Sequence, residues 1–232
     1  MRPFSDVETT LTTRFHGLIH QGSHNDRSQA CLLECAHAAI GAAWSDCPDL
    51  WPDLRPLNDA AWSSDARRTA HLIPVLRAYW EWSIVPVARQ HQIMARLILL
   101  TVQRIIAELP GLPEVTRAAC RQARTLDAAT AATAAADATV ASSVADAARA
   151  AARAAADAVQ VTGDVIRAIQ WTVPSPEAVQ TAETGHAQAT TALARAASAA
   201  SFVASHTTSH AADAVLGTAC ALWIEAAHTV PA

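Results

Sequence analysis

Between Gly22 and Asp59 the sequence gathers side chains that can move protons, attack an electrophile or hold a metal: His24, Cys31, Glu34, Cys35, His37, Asp46 and Cys47. On a helix, Cys31 and Cys35 stand four apart, while Cys31 with Glu34 and Glu34 with His37 stand three apart. Two neighbouring polar stripes can then face one space. One chemistry for this set is nucleophilic or acid–base: Cys31 or Cys47 attacks, His24 takes the proton, and Glu34 or Asp46 orients the imidazole. Glu34, between Leu33 and Cys35 on an apolar helix, is expected to be partly desolvated, which raises a carboxyl pKa. The competing role for Glu34 is a bond to a loop amide or an Arg that locks the turn from Trp44 to Pro48. The expected catalytic set is His24, Cys31, Glu34 and Asp46.

A second chemistry is metal binding by Cys31, Cys35, His37 and Cys47, with zinc or iron as the ion. The spacing Cys-x3-Cys-x-His, with nine residues before Cys47, is not a familiar zinc-finger arrangement, and His37 falls on a different helical face from Cys31. Buried free cysteine also serves simply as a small hydrophobe. His16, His20 and His24 recur at steps of four, which would make a ladder if one helix ran through Gly22, but glycine is expected to end that helix first. The chain has no glycine-rich phosphate loop, no Gly-x-Ser-x-Gly and no His-Glu-x-x-His.

The elements that must position these groups read as helices. The first is expected from an Asp6 cap to about His20. The second runs from about Gln29 to Ile40, capped by Asp26 or Ser28 and ended at Gly41. Pro48, Pro52 and Pro56 restrict the next segment to short turns. Ser64-Asp65 caps a third helix, expected to end near Pro74, and Pro86 kinks or restarts the long apolar stretch that follows to Leu109. Pro110-Gly111-Leu112-Pro113 is the clearest break. Beyond it the chain is alanine-dominated, with helices expected from Glu114 to about Val161, a break at Gly163, a Ser175-Pro176-Glu177 start to a helix reaching Ser205, and a last helix from Ser209.

Composition sets the class. In 232 residues, 51% are hydrophobic but only 5% aromatic, and alanine supplies much of the apolar count. Alanine has the highest helix propensity and buries too little to hold a strand face, so the expected fold is all-α: one domain over 1–232, a motif-bearing part over 1–109 and an Ala-rich part over 113–232. Five of the seven tryptophans fall in the first 82 residues, where they line a pocket or fill the core. The net charge of -4 gives no basic footprint for nucleic acid. The most apolar run, Ile84 to Val102, is interrupted by Arg89, Gln90, His91, Gln92 and Arg96 and does not read as a membrane span. Five cysteines without a secretory signal are expected to be reduced thiols in a cytoplasm.

The series Gly22-Ser23-His24, Ala30-Cys31-Leu32-Leu33-Glu34, Trp44-Ser45-Asp46-Cys47-Pro48 and Leu57-Asn58-Asp59 resembles a set of Ala-rich proteins from high-GC actinobacteria and their phages. Those proteins carry a similar Gly-Ser-His, Ala-Cys-x-Met-Glu, Trp-Ser-Asp-His-Pro and Asn-Asp head before an alanine-rich tail. The likeness covers about residues 18–76 by motif and the remainder by composition. Leu33 stands in place of the Met, and Cys47 in place of the His. The set has no established activity, so the resemblance implies a shared fold and a shared site at His24, Cys31, Glu34 and Asp46.

The sequence therefore predicts a cytoplasmic helical protein that binds or modifies a small molecule in residues 22–59. The alternatives are an interaction or structural module whose Ala-rich helices meet a partner or a second copy as a homo-oligomer, and a metal-dependent protein using the Cys and His ligands.

Overall fold

A computed structural model of the chain describes residues 2–24, 28–46, 53–82, 85–139, 145–170, 176–205 and 209–229. Among the described residues every regular element is helical. The head comprises α1 (Phe4–Arg14), α2 (Leu32–Ile40), the single turn α3 (Arg55–Asn58) and α4 (Asp65–Ala78). The long α5 (Val87–Arg104) and a 3-10 turn (Ile106–Glu108) lead to α6 (Glu114–Gln122), α7 (Leu126–Thr139), α8 (Ala145–Gln170), α9 (Pro176–Ser205) and α10 (Ser209–Thr229).

Several boundaries follow the local chemistry. The Ser64 side chain accepts the Arg67 N–H and starts α4, Pro86 precedes α5, Pro113 precedes α6, and Gly41 ends α2 in the left-handed region at φ 73. Others depart from the sequence expectation. The first helix stops at Arg14 rather than near His20, because His16 and Gly17 both take positive φ. Cys31, not Asp26 or Ser28, is the N-cap of α2, and Asp26 lies outside the described residues. Helix α4 runs through Pro74: Pro74 and Ala70, whose carbonyl loses its helical donor, are both exposed, so that carbonyl is open to solvent while Leu72, Val75 and Leu76 are buried. Helix α8 continues through Gly163, whose propensity cost of about 1 kcal/mol is small against the burial of Ala155, Ala158 and Val159 on the same helix.

One continuous core runs from Val7, Phe15 and Ile19 in the head through Leu97 and Ile98 of α5 to Leu216 and Trp223 of α10. Helix α5 packs against α7, α8, α9 and α10, and α10 returns to pack on α4. The Ala-rich helices bury their small faces on one another: Ala148, Ala151, Ala152, Ala155 and Ala158 of α8 and Ala189, Ala196, Ala197 and Ala200 of α9 are all buried. Without large side chains the two backbones approach closely, and dispersion contacts along the whole seam replace a few large knobs.

Trp44, Trp62 and Trp80 act as core and as clamps. Trp62 donates its indole N–H to Leu57 O, Trp80 to Arg2 O and Trp44 to His24 O. Trp62 stacks on His71 at 5.3 Å. A Cβ at Gly217 of α10 would come within 3.0 Å of His71 Cε1, so glycine there permits the close approach of α10 to α4.

Candidate functional site

The head's polar residues converge on the start of α2. Cys31 Sγ accepts the Glu34 N–H at 3.4 Å, and Glu34 Oε2 accepts the Cys31 N–H at 2.8 Å, forming a reciprocal capping box with sulfur in place of the usual hydroxyl. Glu34 is 1% exposed. Its other oxygen, Oε1, accepts the His24 N–H at 2.8 Å, and Oε2 also meets His24 Nδ1 at 2.9 Å. A carboxylate only accepts, so His24 Nδ1 carries the proton and the ring's lone pair sits on Nε2. The His24 carbonyl in turn accepts the Trp44 indole N–H at 2.7 Å, which ties the loop after α2 to the loop before it.

The loop bearing His24 is fixed from the other side by Asn58 and Asp59. Asn58, 2% exposed, accepts the Leu32 N–H at 3.2 Å and donates to His20 O at 3.0 Å and to Asp59 Oδ1 at 2.9 Å. Asp59 Oδ1 also accepts the Gly22 N–H at 2.8 Å, and Asp59 O accepts the Gln21 amide at 2.7 Å. Gly22, at φ 78, turns the chain so that residue 24 comes back beside residue 20. Arg68, 3% exposed, donates Nε–H to Asn58 O at 2.7 Å and pairs with Asp65. Asp65 Oδ2 meets His20 Nδ1 at 2.9 Å. His20 is thus a second imidazole oriented by a carboxylate, and its ring centroid lies 5.9 Å from that of His24.

His24, Cys31 and Glu34 of the expected set are brought together. Asp46 is partly buried in the loop after α2, and among the described residues no hydrogen bond joins it to the other three. Of the expected metal ligands, Cys31 caps α2, Cys35 is buried in the core, and His37 donates Nδ1–H to Ser45 O at 2.6 Å. Cys47 lies outside the described residues. Among the described residues no three His, Cys, Asp or Glu side chains are arranged to hold a metal ion. Burial pushes the thiols of Cys31 and Cys35 up to about 12, so both are protonated near neutrality.

Sequence reasoning gave no role at the site to Asn58, Asp59, Asp65 or Arg68. The Asn58-Asp59 pair was visible as a motif; Asp65 looked like a helix-start residue, and its reach to His20 is a contact across 45 residues.

A groove of about 540 Å³ lies beside the head, lined by Asp53, Arg55, Asp157, Thr184, Thr191 and Arg195 among others. Burial raises the Asp53 carboxyl, but the Arg55 side chain and N–H, with the Thr191 hydroxyl, outweigh it and hold the group below the usual carboxylate range.

Comparison with protein-family models, curated proteins and solved structures returns no match to this chain.

Proposed function

We propose that this chain binds or modifies a small molecule in the cytoplasm, through a polar site in residues 22–59 centred on His24. The observation that carries the reading is the His24–Glu34 pair: a buried carboxylate fixes the tautomer and orientation of an imidazole whose Nε2 lone pair remains to accept a proton or a hydrogen bond. In this reading Cys31 forms the wall of the site and Asp46 orients the adjoining loop. Among the described residues four cysteines are free and buried, which supports a reducing compartment, and no helix is long and apolar enough to cross a membrane. Common descent with the Ala-rich actinobacterial and phage proteins is part of the proposal, resting on the shared head motif.

The test is a metabolite screen by thermal shift on tag-free protein. A true ligand raises the melting temperature of the wild type, stabilising it by about 2.7 kcal/mol at one hundred times its Kd, and does not do so for folded His24→Ala. Compounds that shift both proteins equally, or a broad screen with no shift, would overturn the reading.

A second reading, an interaction module that assembles with itself or a partner, draws on the same hydrogen bonds. All the carboxylate contacts of Glu34 close turns of its own chain, as a purely structural lock would. Light scattering across a concentration series separates a monomer from a homo-oligomer.

A further inference from the structure

We propose that His20 and His24 together bind one divalent first-row transition metal ion through their Nε2 atoms. The inference deepens the reading above, resting on the same loop and naming what its two imidazole lone pairs hold.

Three observations carry it. First, both rings have Nδ1 committed to a carboxylate at 2.9 Å, His20 to Asp65 and His24 to Glu34. Carboxylate on one nitrogen and metal on the other is the recurrent environment of a ligating histidine, because the carboxylate fixes the tautomer and raises the basicity of the free nitrogen. Second, the rings are close enough to share an ion. With metal–nitrogen bonds of about 2.1 Å, two imidazoles on one ion have centroids roughly 5 to 6 Å apart; the observed separation is 5.9 Å. Third, the loop is held by its own hydrogen bonds. The Gly22 turn, held by Asp59, and the Asn58 bond to His20 O fix the backbone at His20 and between the two histidines, and Glu34 holds the His24 N–H. An imidazole pair suits the ions of borderline softness, such as zinc, cobalt, nickel or copper, rather than magnesium or calcium.

Two protein nitrogens leave the remaining coordination positions to water or to a small molecule, which is the open arrangement of a catalytic or ligand-binding ion rather than the closed one of a structural ion. The Cys31, Cys35, His37 and Cys47 set expected from the sequence shares no residue with this pair, whereas the His16, His20 and His24 series contains both of its members.

The test uses tag-free full-length protein stripped with a chelator and titrated with Co2+, followed by its visible absorption, and with Zn2+, followed by calorimetry. One equivalent is expected, with binding abolished in His20→Ala and in His24→Ala and unchanged in His16→Ala. Asp65→Asn, at a partly exposed carboxylate, should weaken binding about 10- to 100-fold. If the alanine variants do not fold, imidazole nitrogen NMR of the wild type decides: the ion should shift Nε2 of His20 and His24 while Nδ1 stays protonated. No uptake by the wild type overturns the proposal. Uptake that survives in His20→Ala, or that is lost instead in Cys31→Ser, also overturns it. Metal titration needs no small molecule, so its failure leaves the ligand screen above standing on its own result.

Discussion

Cys31 and Glu34 cap each other across the first turn of α2, the Glu34 N–H directed at Cys31 Sγ and the Cys31 N–H at Glu34 Oε2. Sulfur is a weaker acceptor than a hydroxyl oxygen, so the cap is open to improvement. Cys31→Ser should match or exceed the wild type in stability if the smaller atom reaches the same amide, whereas Cys31→Ala should lose about 1 kcal/mol or more with its buried contacts. Urea denaturation of the two variants side by side reads the difference; equal losses would show that the cap contributes nothing.

Glu34→Ala removes the acceptor of three bonds and strands two backbone N–H groups near the protein interior. Each stranded donor costs about 1–3 kcal/mol, so a loss of about 3 kcal/mol or more is expected from the denaturation midpoint. Glu34→Gln keeps the shape and one acceptor oxygen and should cost less.

Stability should fall on both sides of a window that opens near pH 6.5 and closes near pH 9. On the alkaline side, burial pushes Cys31, Cys35 and Cys220 from 9.0 to about 12. Above pH 9 the unfolded thiols ionise while the folded ones keep their protons, so the unfolded state binds fewer protons and stability declines as pH rises, by about 1.4 kcal/mol per pH unit for each thiol. On the acid side, burial lowers His91 below 6.5. Below that pH the unfolded histidine takes a proton that the folded one resists, and stability declines as pH falls. Denaturation midpoints from pH 5 to 11 test both limbs, and the alkaline limb should flatten in Cys35→Ala. The native thiols of Cys31, Cys35 and Cys220 should also resist iodoacetamide at pH 8.

The seam of α8 and α9 tolerates no added bulk. Ala152→Leu and Ala196→Leu enlarge fully buried positions and should each cost about 1–3 kcal/mol, while Ala150→Leu on the exposed side of α8 should stay within about 0.5 kcal/mol. Calorimetric melting temperatures compare the three.

Local signals were readable wherever one residue type dominates a position. Gly41 closing α2, Ser64 opening α4, Pro86 before α5 and the Pro110 to Pro113 break are all where the sequence puts them. The start of α2 was misread because cysteine is not a customary cap, and the end of α1 because the stop was placed at Gly22 although Gly17, a glycine of the same left-handed kind, comes first. Pro74 and Gly163 read as breaks from local propensity, which tertiary burial overrode. At the site, Glu34 was read as a lock on the Trp44 to Pro48 turn; the amides it holds are instead those of His24 and Cys31, in the segment before α2. The His20 to Asp65 and Asn58 to Leu32 contacts, across 45 and 26 residues, are products of the fold and have no local trace.

Tyr79 and Trp80 sit side by side at the end of α4, yet Tyr79 gives its hydroxyl hydrogen to Trp223 O while Trp80 gives its indole hydrogen to Arg2 O. A ribosome delivers Arg2 long before Tyr79, but Trp223 arrives 144 residues after it. Until α10 has been synthesised, the face of α4 that it covers has no permanent cover. The head is therefore closed by a helix encoded 144 residues downstream, and its own folding is completed only when that distant segment docks.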